Sequence, residues 1–155
     1  MSNTSDIFAK KLRLAVKEST IEVQEEARAR HRYKTRTGAL DRAVQSKFER
    51  RGLVGTVFIN TGEAKYGAFV HEGTRPHTIF PKGRKALRFV KGSKFVFAKS
   101  VKHPGTHKDQ FLFSALINKQ ERISRIFKKY TEESLEEVAS GISGSGLSRT
   151  FTWRR

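Results

Sequence analysis

Tyr66-Gly67-Ala68-Phe69-Val70-His71-Glu72-Gly73-Thr74-Arg75-Pro76-His77 is the stretch that decides how this chain is read. Its first half predicts a short helix from Glu63 to His71, behind the turn Asn60-Thr61-Gly62. Tyr66, Phe69 and Val70 stand at i, i+3 and i+4, so they share a helical face, and that face is expected in the core. Gly73 ends the helix, because glycine reaches a positive φ without the Cβ penalty that other residues meet. Pro76 then restricts Arg75 to extended backbone, which fixes the direction in which the chain leaves. A helix, a forced turn and a strand with no catalytic set on them read as a structural or docking element.

Toward the N-terminus, residues 7–32 contain no Gly or Pro. Phe8, Leu12, Ala15, Val16, Val23 and Ala27 recur at three- and four-residue steps, which predicts an amphipathic helix with Ser5 or Asp6 at its cap. A hairpin is expected next. Leu40 to Phe48 alternates, with Ala43 or Val44 and then Phe48 inward; Arg50-Arg51-Gly52 turns the chain, and Val54–Ile59 returns. Toward the C-terminus, 78–80, 86–90 and 94–101 read as short strands separated by Pro81-Lys82-Gly83 and Lys91-Gly92-Ser93. Their alternation assigns most of Phe80, Phe89, Phe95 and Phe97 to the core, although exposed rings there could stack on bases. A second long helix is expected from 108 to 140, with a stripe of Leu112, Leu116, Ile123, Phe127, Tyr130 and Val138, widened by Ile126 and Leu135.

The fold class expected is therefore α+β. A small antiparallel sheet (40–103) packs against long N- and C-terminal helices, with a short central helix, in one domain over 1–141. Residues 142–155 read as a flexible tail in which Phe151, Trp153, Arg154 and Arg155 form a candidate docking peptide.

Net charge is +17, and it is unevenly spread. Residues 41–108 carry fifteen basic against four acidic side chains, whereas 109–141 carry five against six. A field of this sign attracts polyanions, of which double-stranded DNA is the commonest large one, through its phosphate backbone. Arg75, Lys82, Arg84, Lys85, Arg88, Lys91 and Lys94 are the candidate DNA-facing residues. Glu72, Gly73, Thr74 and Pro76 form the candidate structural turn.

Other chemistries find little support. No Cys is present, so there is no disulfide framework, thiol nucleophile or thiolate metal site. His71, Glu72 and His77 are interrupted by Gly73 and Pro76, which breaks the helical i, i+4 spacing a zincin site needs. His71, Glu72 and Arg75 offer the residue types of a nuclease without a diagnostic spacing. There is no Walker loop, nucleophile elbow or carboxylate cluster for Mg²⁺, so neither catalysis nor a cofactor is expected. No apolar run approaches a membrane span and no signal-peptide core opens the chain, so a soluble protein made in a cytoplasm is expected.

Four elements in order resemble one family. These are Thr37-Gly38-Ala39-Leu40; Tyr66 through Thr74; His103-Pro104-Gly105-Thr106; and Gln110-Phe111-Leu112 before the last helix. Together they are similar to the small tail-component, or neck and tail-completion, proteins of tailed bacteriophages. That family shows a T-G-x-L element, a Y-A-x-x-V-E-x-G-T element and a P-F-L element. Two positions depart from its pattern, at His71 and at Gln110 where Pro is usual. The resemblance implies a virion protein without enzymatic activity, assembled in the bacterial cytoplasm. It implies a homo-oligomeric ring at the neck, in contact with neighbouring neck and tail proteins and acting in head–tail joining around the DNA channel. The alternative is a sequence-independent DNA- or RNA-binding protein, and after it a small nuclease.

Overall fold

A computed structural model describes residues 4–143, so the candidate docking peptide around Phe151, Trp153, Arg154 and Arg155 lies outside the described residues. The fold is α+β. Two long helices, α1 (Thr4–Ala29) and α4 (Phe111–Ser143), bracket two short ones, α2 (Ala39–Ala43) and α3 (Gly67–Glu72). Six strands lie between: β1 (Val44–Glu49), β2 (Val54–Ile59), β3 (His77–Ile79), β4 (Leu87–Lys91), β5 (Lys94–Ala98) and β6 (Val101–His103). They pair as three separate two-stranded ribbons, β1–β2, β3–β6 and β4–β5. The described chain divides into two compact units. One comprises the segments up to Arg30, Val44–Phe58 and from Leu112 onward; the other comprises His31–Ala43 and Ile59–Phe111.

In the first unit α1 and α4 run antiparallel, as their polar ties show. Lys11 Nζ lies 2.9 Å from Glu133, Tyr130 Oη donates to Glu18, Lys119 Nζ lies 2.9 Å from Glu22, and Asn118 donates to Glu26. The Lys119 hydrogen bond holds the Glu22 carboxyl below its usual pKa. The buried faces keep part of the hydrophobic stripes read in the sequence, Ala15, Val23 and Ala27 on α1 and Ile126 on α4. On α1 the buried residues are Ala15, Ser19, Thr20, Val23, Glu26 and Ala27, whereas Phe8 and Leu12 are exposed. On α4 they include Ala115, Ile126 and Ser134, whereas Leu116 and Leu135 are exposed. Phe8 and Leu12 line an open cleft with Ala15, Phe127, Tyr130 and Ser134, so they face α4 while remaining in contact with solvent. Phe48 is also exposed rather than inward, because burial decays along β1 from Val44 to Glu49.

In the second unit the core gathers Leu40, Ala43 and Ala64, flanked by Tyr33, Ile59 and Val70. Leu40 and Ala43 were expected to open a strand. They sit instead one turn apart on α2, whose first turn closes with Arg42 N–H on Gly38 C=O at 3.0 Å. The loop before α2 is tied to Asp41: Tyr33 Oη donates to Oδ1 at 2.5 Å, and Thr35 Oγ1 donates to Oδ2 at 3.2 Å. The His31 ring stacks on Tyr33, with centroids 3.6 Å apart.

Burial, then the hydrogen bond and charge of Asp41, push the Tyr33 phenol far above its usual pKa of 10.0. A raised folded pKa contributes stability that is complete below about pH 10 and is lost as pH rises further. Wild type is therefore expected to lose urea resistance between pH 9 and pH 11.5 more steeply than Tyr33→Phe, although the variant starts lower at pH 8 for want of the Asp41 bond. Equal slopes in paired denaturation series would show that Tyr33 does not carry this dependence.

Candidate nucleic-acid and assembly interface

The decisive turn of the sequence is a lock between two backbones. Gly73 caps α3 at φ 75° and ψ 176°, a conformation essentially confined to glycine. Thr74 and Thr106 then exchange backbone hydrogen bonds of 2.9 and 3.1 Å, and Thr106 N–H also reaches Thr74 Oγ1. A Cβ on Gly73 would sit 2.7 Å from Thr106 O and 2.8 Å from Lys108 N. Gly105, at φ 90°, faces Thr74 O so closely that a Cβ there would collide with it. The two motifs Glu72–Pro76 and His103–Thr106 thus hold each other. Beyond them β3 and β6 pair antiparallel, His77 against His103 through Ile79 against Val101. This stem carries residues 80–100, and with them the β4–β5 ribbon.

The α3 face corrects one expectation. Tyr66 and Phe69 are exposed, and the helix buries Gly67 and His71 instead. A Cβ on Gly67 would stand 2.6 Å from Ile59 Cγ2 and 2.9 Å from Leu40 Cδ1. This close approach, available only to glycine, rotates the two aromatic rings outward. His71 is 6% exposed, its ring meets Phe111 edge to face at 5.4 Å, and its Nδ1 lies 2.9 Å from Glu72 Oε1. Arg75 is exposed on the stem.

Arg75, Lys82, Arg84, Lys85, Arg88, Lys91 and Lys94 are all exposed. Lys82, Arg84 and Arg88 line one open groove of about 630 Å³ with Pro81, Leu87 and Phe97. Lys91 and Lys94 are cross-strand partners at the tip of the ribbon. From Gly73 to Lys108 the chain holds ten Lys and Arg and no carboxylate, so this segment has no charge of its own to neutralise it. None of the seven reaches a carboxylate within ion-pair distance among the described residues, in contrast to Lys11, Lys119 and Arg122 on the helices. Unpaired, solvated cations on one arm are what a phosphate backbone takes up with release of its counterions.

The ribbon also shows what the strand reading missed. Phe95 and Phe97 are 62% and 67% exposed, and Phe80 is 65% exposed. The tight Gly92-Ser93 turn sets Arg88 opposite Phe97 and Val90 opposite Phe95. Partners across a ribbon project to the same side. Pairing Arg88 with Phe97 was the available signal that this side faces outward. The Arg88 guanidinium lies 4.8 Å from the centre of the Phe95 ring, a cation–π contact.

Among the described residues no three His, Asp or Glu side chains converge as a metal site, and no helix is long and apolar enough to cross a membrane. No family model, curated protein or solved structure matches this chain.

Proposed function

We propose that this chain is a structural subunit of a tailed-phage neck, acting in tail completion and head–tail joining as one member of a ring around the DNA channel. The observation that supports it best is an inversion of apolar side chains. Among the described residues half of the ten buried apolar ones are alanine, while eighteen large hydrophobic side chains are exposed, Phe69, Phe80, Phe97 and Ile117 among those exposed by more than 60%. Apolar surface on this scale is ordinarily covered by other subunits or partners. The four sequence elements supply the phage setting, and residues of the second and third, Gly73-Thr74 and Gly105-Thr106, serve to build the arm. The arm's unpaired cations supply attraction for DNA without base readout.

The purified chain is expected to form a closed oligomer by native mass spectrometry and electron microscopy, alone or with neighbouring neck proteins. A phage lacking it is expected to accumulate separate full heads and tails. A chain that stays monomeric under both conditions, in a phage that joins heads to tails without it, defeats the proposal. DNA affinity should fall steeply with salt and be alike for unrelated duplexes. Replacing Lys82, Arg84 and Lys85 with Ala should reduce the slope of log affinity against log salt by about two to three, near one per phosphate contact. An operator-like preference that survives high salt would favour a regulator instead.

A further inference from the structure

The β4–β5 ribbon has one half-covered side and one open side. Leu87, Val96 and Ala98 are half-buried on the first. The second carries Arg88, Val90, Phe95 and Phe97, and its three apolar members are each more than 60% exposed. Three exposed apolar side chains beside one guanidinium make a patch suited to a partner that offers apolar surface and a carboxylate.

The same chain displays a surface of matching chemistry and opposite charge. Glu132, Leu135, Glu136 and Ala139 stand at i, i+3, i+4 and i+7 on α4, so they share one face, and all four are exposed. Leu135 is 55% exposed. Among the described residues Glu132 meets only Lys128, 3.8 Å away and one turn along the helix, and Glu136 has no cationic partner. The spacings agree. Residues two apart on a strand, as Phe95 and Phe97 are, stand about 7 Å apart. Leu135 and Ala139 are separated by about 6 Å along the helix axis.

We propose that the open side of the β4–β5 ribbon docks on the Glu132–Leu135–Glu136–Ala139 face of α4 in a second copy of this chain. The inference rests on the ring reading above and names the surfaces that join its subunits. Phe95, Phe97 and Val90 cover Leu135 and Ala139, and Arg88 meets Glu132 and Glu136. The two surfaces differ, so the contact is heterologous: each copy gives its ribbon to one neighbour and its helix to the other, which closes a ring when the rotation permits. A stacked single strand of nucleic acid is the competing occupant. It is disfavoured because Arg88 already lies over the Phe95 ring face that a base would take.

The test is a charge exchange in the full chain, read by native mass spectrometry and sedimentation, with circular dichroism confirming the fold. Arg88→Glu alone and the double change Glu132→Lys with Glu136→Lys alone should each weaken self-association by at least about tenfold, since each sets like charges face to face. Mixing the two proteins should restore the oligomer with the copies alternating, because every ribbon then meets a helix of opposite sign. Phe97→Asp should also dissociate it, independently of the charge argument. If all these variants keep the wild-type mass, another face joins the subunits: the ring reading stands and this inference falls. If Arg88→Glu and Phe97→Asp leave the mass unchanged but abolish binding of a fluorescent oligothymidylate, the ribbon is a nucleic-acid platform and the inference is equally overturned. A wild-type chain that is monomeric in every condition removes the ring reading along with it.

Discussion

Gly73→Val is expected to cost about 2–6 kcal/mol and to unfold the unit that contains His31–Ala43 and Ile59–Phe111. Two independent penalties add. The first is conformational: φ 75° with ψ 176° lies in a region essentially closed to residues with a Cβ, and holding such a residue there costs about 1–3 kcal/mol, most for a β-branched one. The second is steric. The added carbon meets Thr106 O at 2.7 Å and Lys108 N at 2.8 Å, both backbone atoms that no rotamer change can move. Relieving that overlap means parting the Thr74–Thr106 pair, at a further cost of about 1–3 kcal/mol. Gly83 provides the control. It also has a positive φ of 69°, but a Cβ there meets nothing within 4 Å. Gly83→Ala should therefore cost about 1–2 kcal/mol, from the backbone alone. Urea denaturation of the two variants separates the terms. Hydrogen exchange should show the Thr74 and Thr106 amides deprotected in Gly73→Val and protected in Gly83→Ala. Equal losses from both would mean that the lock between the two motifs contributes nothing.

What could be read from the sequence, and what could not, divides along a physical line. Backbone punctuation was legible. Gly73 as a helix stop, Gly52 and Gly92 at turns, and Gly38 before α2 are all at positive φ, and the order of helix, hairpin, short helix, strands and helix follows from them. The burial phase of the long helices was legible in part. The stripes included Ala15, Val23, Ala27 and Ile126, which are buried, but also Phe8, Leu12, Leu116 and Leu135, which are exposed, while Ala115 and Ser134 are buried without having been part of the stripe read for α4. Alternation likewise placed Phe95 and Phe97 inside by assuming that a strand's larger residues face a core. A two-stranded ribbon has no second layer of its own to provide one. The basic candidates were legible as a charge excess. That Lys82, Arg84 and Arg88 share a groove depends on the register of Leu87 against Ala98, which a turn at Gly92-Ser93 determines but composition does not.

Phe111→Ala should produce the other large loss, about 3–5 kcal/mol. Phe111 is fully buried and is among the largest side chains with no exposure. Its ring meets Tyr33 edge to face at 5.2 Å and His71 at 5.4 Å. Each such pair contributes about 0.5–1.5 kcal/mol beyond the area it removes from water. The surroundings cannot collapse to refill the space. Asp109, two residues earlier, accepts from the backbone N–H of Arg32 and Tyr33 and donates its own N–H to Val70, which fixes the backbone on both sides of the ring. The truncated protein should therefore keep its far-ultraviolet dichroism, lose urea resistance, and contain a dry aromatic-lined cavity. A small apolar ligand tests that directly. Benzene near saturation should recover part of the lost stability in Phe111→Ala and none in wild type, since binding to the folded state alone stabilises by mass action. A loss below about 1 kcal/mol, or benzene stabilising both proteins alike, would show that Phe111 does not pack between Tyr33 and His71 as described.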